Sequence, residues 1–131
     1  MTDTIVITAE VIGDVREGCF CVINGAAQDV YNAAGKLGRE DHPEWYAEPR
    51  QRLERAWALL DQIGWTGPAE DKTVDLRYHE RGLGEAVEQF LPILEDLLSR
   101  GEAVAPTAAQ ALRRLQALQA FAGRLPTATD R

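Results

Sequence analysis

The sequence predicts a mainly α domain: a four-helix, bundle-like arrangement with up to two short β-strands. Three observations predict it. Apolar residues recur every three to four positions along several long stretches, the period of a helix with one buried face. Two short β-branched or alternating runs, Thr4–Thr8 and Thr73–Tyr78, interrupt that period. Glycine and proline stand near the ends of most periodic stretches. The chain has 131 residues, 45% apolar and 27% charged. That composition suits one globular domain, read as a single helical domain over 1–126 with 127–131 a mobile tail.

Thr4-Ile5-Val6-Ile7-Thr8 suits a short strand. Thr8 then stands where a helix cap is wanted, with Glu10 near the positive end of that helix. From Ala9 to about Leu37, the residues Ile12, Val15, Cys19, Ile23, Ala26, Val30, Ala34 and Leu37 share one face of a long helix. Gly13, Gly18, Gly25 and Gly35 oppose it, at about 1 kcal/mol each relative to alanine. The rival reading is a hairpin: strand Thr4–Ile12, turn Gly13–Gly18, strand Cys19–Ile23. Gly38–Glu48 reads as a charged loop. Pro49 resets the chain, and a helix from about Arg50 to Ile63 buries Leu53, Ala56, Trp57, Leu60 and Ile63. Gly64 occupies the left-handed position of a Schellman ending, which pairs Trp65 with Leu60.

Thr73–Tyr78 alternates, with Val74, Leu76 and Tyr78 on one side of a second strand. A helix from about His79 to Arg100 follows, with Leu83, Val87, Phe90, Leu94 and Leu97 as a heptad-like seam. Pro92 should kink or split it, and Gly101 ends it. Ala103–Pro106 reads as a linker, and Thr107 with Gln110 as a capping box. The last helix runs to about Ala122, with Leu112, Leu115, Leu118 and Ala122 inward. Strand, helix and helix thus occur twice in order, which reads either as an internal repeat or as a chance similarity between the two halves, since the identities are few.

Charge and composition exclude several function classes. The 21 acidic groups against 14 basic ones give a net charge of −7, which opposes phosphate and so nucleic acid. No apolar run approaches the ~18 residues of a membrane span, and the opening residues lack a basic start followed by an apolar stretch. The expected location is the cytoplasm. Arginine outnumbers lysine twelve to two, a bias that fits a GC-rich bacterial genome better than any function.

The chemistry-bearing residues are sparse. Cys19 and Cys21 on a helix diverge by about 200°, too far apart to share a metal or a disulfide. On the rival strand they share a face, yet two thiolates make an incomplete zinc site. His42, among Glu40, Asp41 and Glu44, reads as part of a solvated acidic turn. His79-Glu80 lacks the second histidine of a His-Glu-x-x-His motif, since position 83 is Leu83. Gly82-Leu83-Gly84 lacks the third glycine of a dinucleotide fingerprint, since position 87 is Val87. Ser99 is the lone serine and sits near a helix end. Glu85 and Glu88 read as a solvated helix face. No catalytic residue, cofactor or metal is expected.

The most informative pattern is the far side of the first helix. Asp14, Gly18, Cys21, Gly25, Gln28 and Asn32 line up there at spacings of three and four. A face this small and weakly charged suits close approach by another helix, of the same chain, of a second copy or of a protein partner. Trp45 and Tyr46 form a second candidate interface, because aromatics in a charged loop often mark contacts. The expected role is an accessory or regulatory protein-binding module, as a homodimer or with another protein. The alternative is a small-molecule binder with a pocket between helices lined by Tyr31, Trp57 and Phe90. An enzyme is not expected.

Leu53-Glu54-Arg55-Ala56-Trp57-Ala58-Leu59-Leu60-Asp61-Gln62-Ile63-Gly64-Trp65 carries a Leu-Leu-Asp-x-Ile-Gly-Trp segment. It resembles short actinobacterial helical proteins of unknown function. His42-Pro43-Glu44-Trp45 and the strand-to-helix join near Val74–Leu83 are similar in style. The resemblance spans about Thr4–Arg100. It implies a helical fold and brings no activity or catalytic residues.

Overall fold

The computed structural model describes residues 3–32, 44, 47–99 and 105–125. Its elements follow in the order β1 (Thr4–Ile7), α1 (Ala9–Tyr31), α2 (Ala47–Ile63), β2 (Lys72–Asp75), α3 (Leu76–Ser99) and α4 (Ala105–Gly123). The mainly α architecture is the expected one, and the order strand–helix–helix occurs twice. The two strands pair with each other, antiparallel, with Thr4 opposite Asp75 and Ile7 opposite Lys72. A ribbon of two four-residue strands is marginal alone, so the helices carry the fold.

The hairpin alternative fails. Gly13–Ile23 lies inside α1, and the partner of β1 lies beyond α2. Helical apolar spacing outweighs the glycines, because Gly13 and Gly25 stand in open space and cost only their intrinsic propensity. Helix α1 is the hub, packed against α2, α3 and α4. It buries Val11, Ile12, Val15, Cys19, Val22 and Ala26. Its exposed stripe runs through Glu10, Gly13, Glu17, Asn24, Gln28 and Tyr31. The expected extension through Ala34 and Leu37 lies outside the described residues.

Thr8 takes the cap position of α1 with extended backbone, but its hydroxyl caps nothing. The cap comes from afar. Asp71, just before β2, accepts the Ala9 N–H at 2.7 Å. Helix α2 starts at Ala47 rather than Arg50, and Pro49 sits in its first turn, where a missing N–H costs nothing. Leu59 joins Ala56, Leu60 and Ile63 in the core, whereas Trp57 stays half exposed. Gly64 ends the helix at φ +94° and donates its N–H to the Leu60 carbonyl at 2.7 Å. That single bond is the simpler left-handed ending rather than the two-bond Schellman form.

The second strand is shorter than its alternation suggests. Asp75 accepts the Arg77 N–H at 2.9 Å and turns the chain into α3. Leu76 and Tyr78 therefore belong to the helix, and Tyr78 is strongly exposed. Helix α3 continues through Pro92. The proline and Glu88, whose carbonyl loses a partner, both lie on the exposed side, where water replaces the bond. Leu83, Val87, Phe90 and Leu94 are buried as expected, but Leu97 is exposed. Helix α4 starts before Ala108, so Thr107 falls within it rather than capping it. Its buried face is Ala111, Leu115, Leu118 and Phe121, one position round from the expected one, which leaves Leu112 exposed.

Candidate functional site

The site begins with a buried cation. Arg16 is only 8% exposed, on the apolar face of α1. Its Nε donates to the Gly64 carbonyl at 2.9 Å and its Nη2 to the Ile63 carbonyl at 3.1 Å. Its Nη1 donates to the Gly67 carbonyl at 3.3 Å. The Ile63 and Gly64 carbonyls stand at the negative end of α2 and that of Gly67 in the loop beyond it, so the guanidinium both neutralises the helix dipole and ties down the loop.

That loop carries Trp65. Its indole Nε1 donates to Asp61 at 2.9 Å. Its ring meets Trp57 edge-on, with centroids 4.6 Å apart at 76°. Phe20 from α1 closes the group at 6.0 Å from Trp65. Three aromatic rings from α1, α2 and the loop thus form one face, with Trp57 49% exposed at its front. Edge-to-face pairs are favourable beyond their buried area, so the rings hold one another in place. Trp65 acts as a clasp, though its ring partners are Trp57 and Phe20.

A charged groove lies between α1, α2 and α3, on the other side of α2 from Trp57. Arg55 of α2 grips Glu85 of α3 with two bonds, 2.9 and 2.7 Å. Arg52 holds both oxygens of Glu48 at 2.9 Å and reaches Asp29 of α1 at 2.9 Å. The hydrogen bond to Asp29 raises the pKa of Arg52, and that to Glu85 raises the pKa of Arg55. Val22, Arg52, Glu85, Glu88 and Gln89 line an open cavity of about 330 Å³.

The expected interface stripe on α1 divides. Gly18 faces inward, against the Ala86 backbone of α3, where any side chain would collide. Asp14 is buried and bound by Arg114 of α4 at 2.6 Å. Their share of the stripe is therefore packed within the chain, because α3 and α4 both cross α1 there. Cys21 is half buried, and burial followed by the Glu17 charge raises its thiol pKa. Gly25, Gln28 and Asn32 are exposed, and the Gln28 amide donates to Asn32 along the helix at 3.2 Å. Trp45 and Tyr46 lie outside the described residues, as does His42.

The expected pocket residues are scattered. Tyr31 is 68% exposed, Trp57 belongs to the aromatic face, and Phe90 is buried beneath the Arg114 guanidinium at 5.9 Å. None of them lines the groove. Burial pushes the Cys19 thiol up to about 12, which keeps it protonated. Among the described residues no group of three or more metal-ligating side chains converges. Also among them, no helix is long and apolar enough to cross a membrane.

Sequence reasoning missed Arg16 and the arginine–carboxylate network, because it read arginine as a compositional bias. A signal was present: Arg16 stands between Ile12, Val15 and Cys19 on the face assigned to the core.

Fold and site together define a small, mainly α protein with an aromatic face on one side of α2 and a charged groove on the other. Comparison of the chain with protein-family models, curated proteins and solved structures returns no match.

Proposed function

We propose that this chain is an accessory protein of the cytoplasm that binds another protein through the face built by Phe20, Trp57 and Trp65. The half-exposed Trp57 ring, held edge-on by Trp65, carries this reading. Rigid aromatics lose little side-chain entropy on binding and dominate interface energetics. The Arg16 cap supports it by fixing the loop that presents Trp65. Free rather than bridged cysteines suit a reducing compartment.

The test is native mass spectrometry of the chain purified gently from its own host, beside a Trp57→Glu variant. The expected result is a complex of one chain with a second, different protein, absent from the variant. The variant should keep the parent circular dichroism, because half of the Trp57 ring is already in water. A complex that survives the substitution would overturn the assignment of the face, and a bare chain in both would overturn the reading.

Small-molecule binding is the second reading, and the groove favours it. Its volume of about 330 Å³ lies at the lower end of ligand pockets, roughly 300–1,000 Å³. Its lining is mostly charged and polar, whereas such pockets are mostly apolar, so protein binding ranks first. A bare chain carrying a small extra mass in the same spectrum would reverse that order.

A further inference from the structure

The aromatic face is a corner rather than a flat patch. Trp57 meets Trp65 at 76°, and Phe20 is tilted by 49° to Trp65. About half of Trp57 faces water. Ring faces carry negative charge density, and tryptophan is the aromatic side chain that attracts a cation best.

Two carboxylates stand at this corner. Asp61 is exposed, one turn beyond Trp57 on α2, and its Oδ1 accepts the Trp65 indole N–H at 2.9 Å. That bond holds its charge at the edge of the ring pair. Glu17 is exposed on α1, three residues before Phe20, a spacing that makes surface neighbours on a helix. Neither forms an ion pair with any described residue.

The cations of the same elements are committed elsewhere. Arg16 is turned inward onto the carbonyls of Ile63, Gly64 and Gly67. On α2, Arg50 pairs with Glu54 at 3.6 Å, Arg52 with Glu48 and Asp29, and Arg55 with Glu85. Lys72, the first cation after Trp65, pairs with Glu70 at 3.3 Å. The face thus joins exposed rings to unpaired negative charge.

We propose that the partner of this face presents a basic segment, one of whose lysine or arginine side chains seats its cation against Trp57, flanked by Asp61 and Glu17. The inference rests on the reading of this face as a protein-binding surface and adds the chemistry of the partner. Charge complementarity selects the occupant. A neutral partner would cover the two carboxylates without a counter-charge, and an acidic one would add repulsion. A basic side chain lays its apolar stem along the rings, places its cation by the carboxylates, and is drawn in by the net charge of −7.

The test is an NMR titration of the whole chain, following the assigned Trp57 and Trp65 indole N–H signals. One probe is the capped peptide Gly-Arg-Gly-Arg-Gly; the other has citrulline for arginine, which keeps the shape and removes the charge. The arginine peptide is expected to shift both signals saturably, with a Kd of about 1 mM, and the citrulline peptide to bind about tenfold more weakly. Glu17→Gln with Asp61→Asn removes both charges while the new amide oxygen still accepts the Trp65 N–H. This variant and Trp57→Leu are each expected to weaken the arginine peptide by about tenfold with unchanged circular dichroism. If Trp57→Leu fails to fold, the charge variant and the citrulline peptide decide. Equal binding of the two peptides, or undiminished binding by either folded variant, overturns the proposal, as does no saturable shift at about 10 mM peptide.

Native mass spectrometry separates this inference from the reading beneath it. The complex found in the host is expected to be lost from the charge variant as well as from Trp57→Glu. A complex lost only from Trp57→Glu leaves the face in place and overturns the basic partner. A complex that both variants keep, or a bare chain throughout, overturns the reading and this inference with it.

Discussion

Gly18 and Gly25 lie two turns apart on one helix and have opposite surroundings. Gly18 sits where α1 touches the Ala86 backbone, and a methyl group there has no room. Gly25 has nothing within 4 Å. Gly18→Ala is expected to destabilise the fold by about 2–4 kcal/mol, because backbone must move to relieve the clash. Gly25→Ala is expected to stabilise it by about 0.5–1 kcal/mol through helix propensity alone. Urea melts of the two variants check this, and equal midpoints would contradict the packing described. Sequence spacing places both glycines on one stripe and cannot separate them, because their difference lies in the level at which α3 comes closest.

At the scale of elements, helix ends are held by partners distant in sequence. The C-terminus of α2 is capped by Arg16 of α1, and the N-terminus of α1 by Asp71. Arg16→Met keeps the bulk and removes the donors, leaving the carbonyls of Ile63, Gly64 and Gly67 unmet. It is expected to cost about 2–4 kcal/mol, the range for losing charged hydrogen bonds in a buried place. Tryptophan emission should shift as well, since Trp65 rides on the released loop; an unchanged spectrum and melt would refute the role of the cap. The start of α3 depends on pH. The side-chain hydrogen bond from Arg77 is the main cause holding the Asp75 carboxyl below its ordinary value of 3.8. A lowered folded-state value means that stability is present above pH 3.8 and is lost as pH falls through the lowered value. The first turn of α3 is therefore expected to fray below about pH 4, read as a shift of the Arg77 amide in an NMR titration. An Asp75→Asn variant should flatten that titration.

At the scale of the molecule, one ion pair ties the last helix to the hub. Asp14 of α1 has 7% side-chain exposure and Arg114 of α4 has 46%. Arg114→Ala strands a buried carboxylate and is expected to cost about 1–3 kcal/mol, below the value for a fully buried pair because the arginine is half in water. Asp14→Leu combined with Arg114→Ala should recover part of that loss, since no unpaired charge then remains. A double-mutant cycle by chemical denaturation measures it, and strict additivity would show that the pair does not couple. Only the third dimension reveals this pair, because its members are one hundred positions apart.

The sequence by itself determined the helical class, the two short strands and most of the core. Ile12, Val15, Cys19, Leu60, Leu83, Val87 and Leu118 are buried where their periodicity puts them. Those features are local: a helix turns every 3.6 residues and an apolar stripe must be covered whatever covers it. Tertiary structure alone decided which small residues are contacts, which arginines are buried, and which rings meet. Trp57 follows the same spacing as Leu60 yet faces water beside Trp65. Arg16 lies on a core face yet is satisfied, because the end of α2 arrives there with free carbonyls. Spacing along a chain fixes the direction of a side chain on its own helix; what occupies that direction depends on how the helices cross.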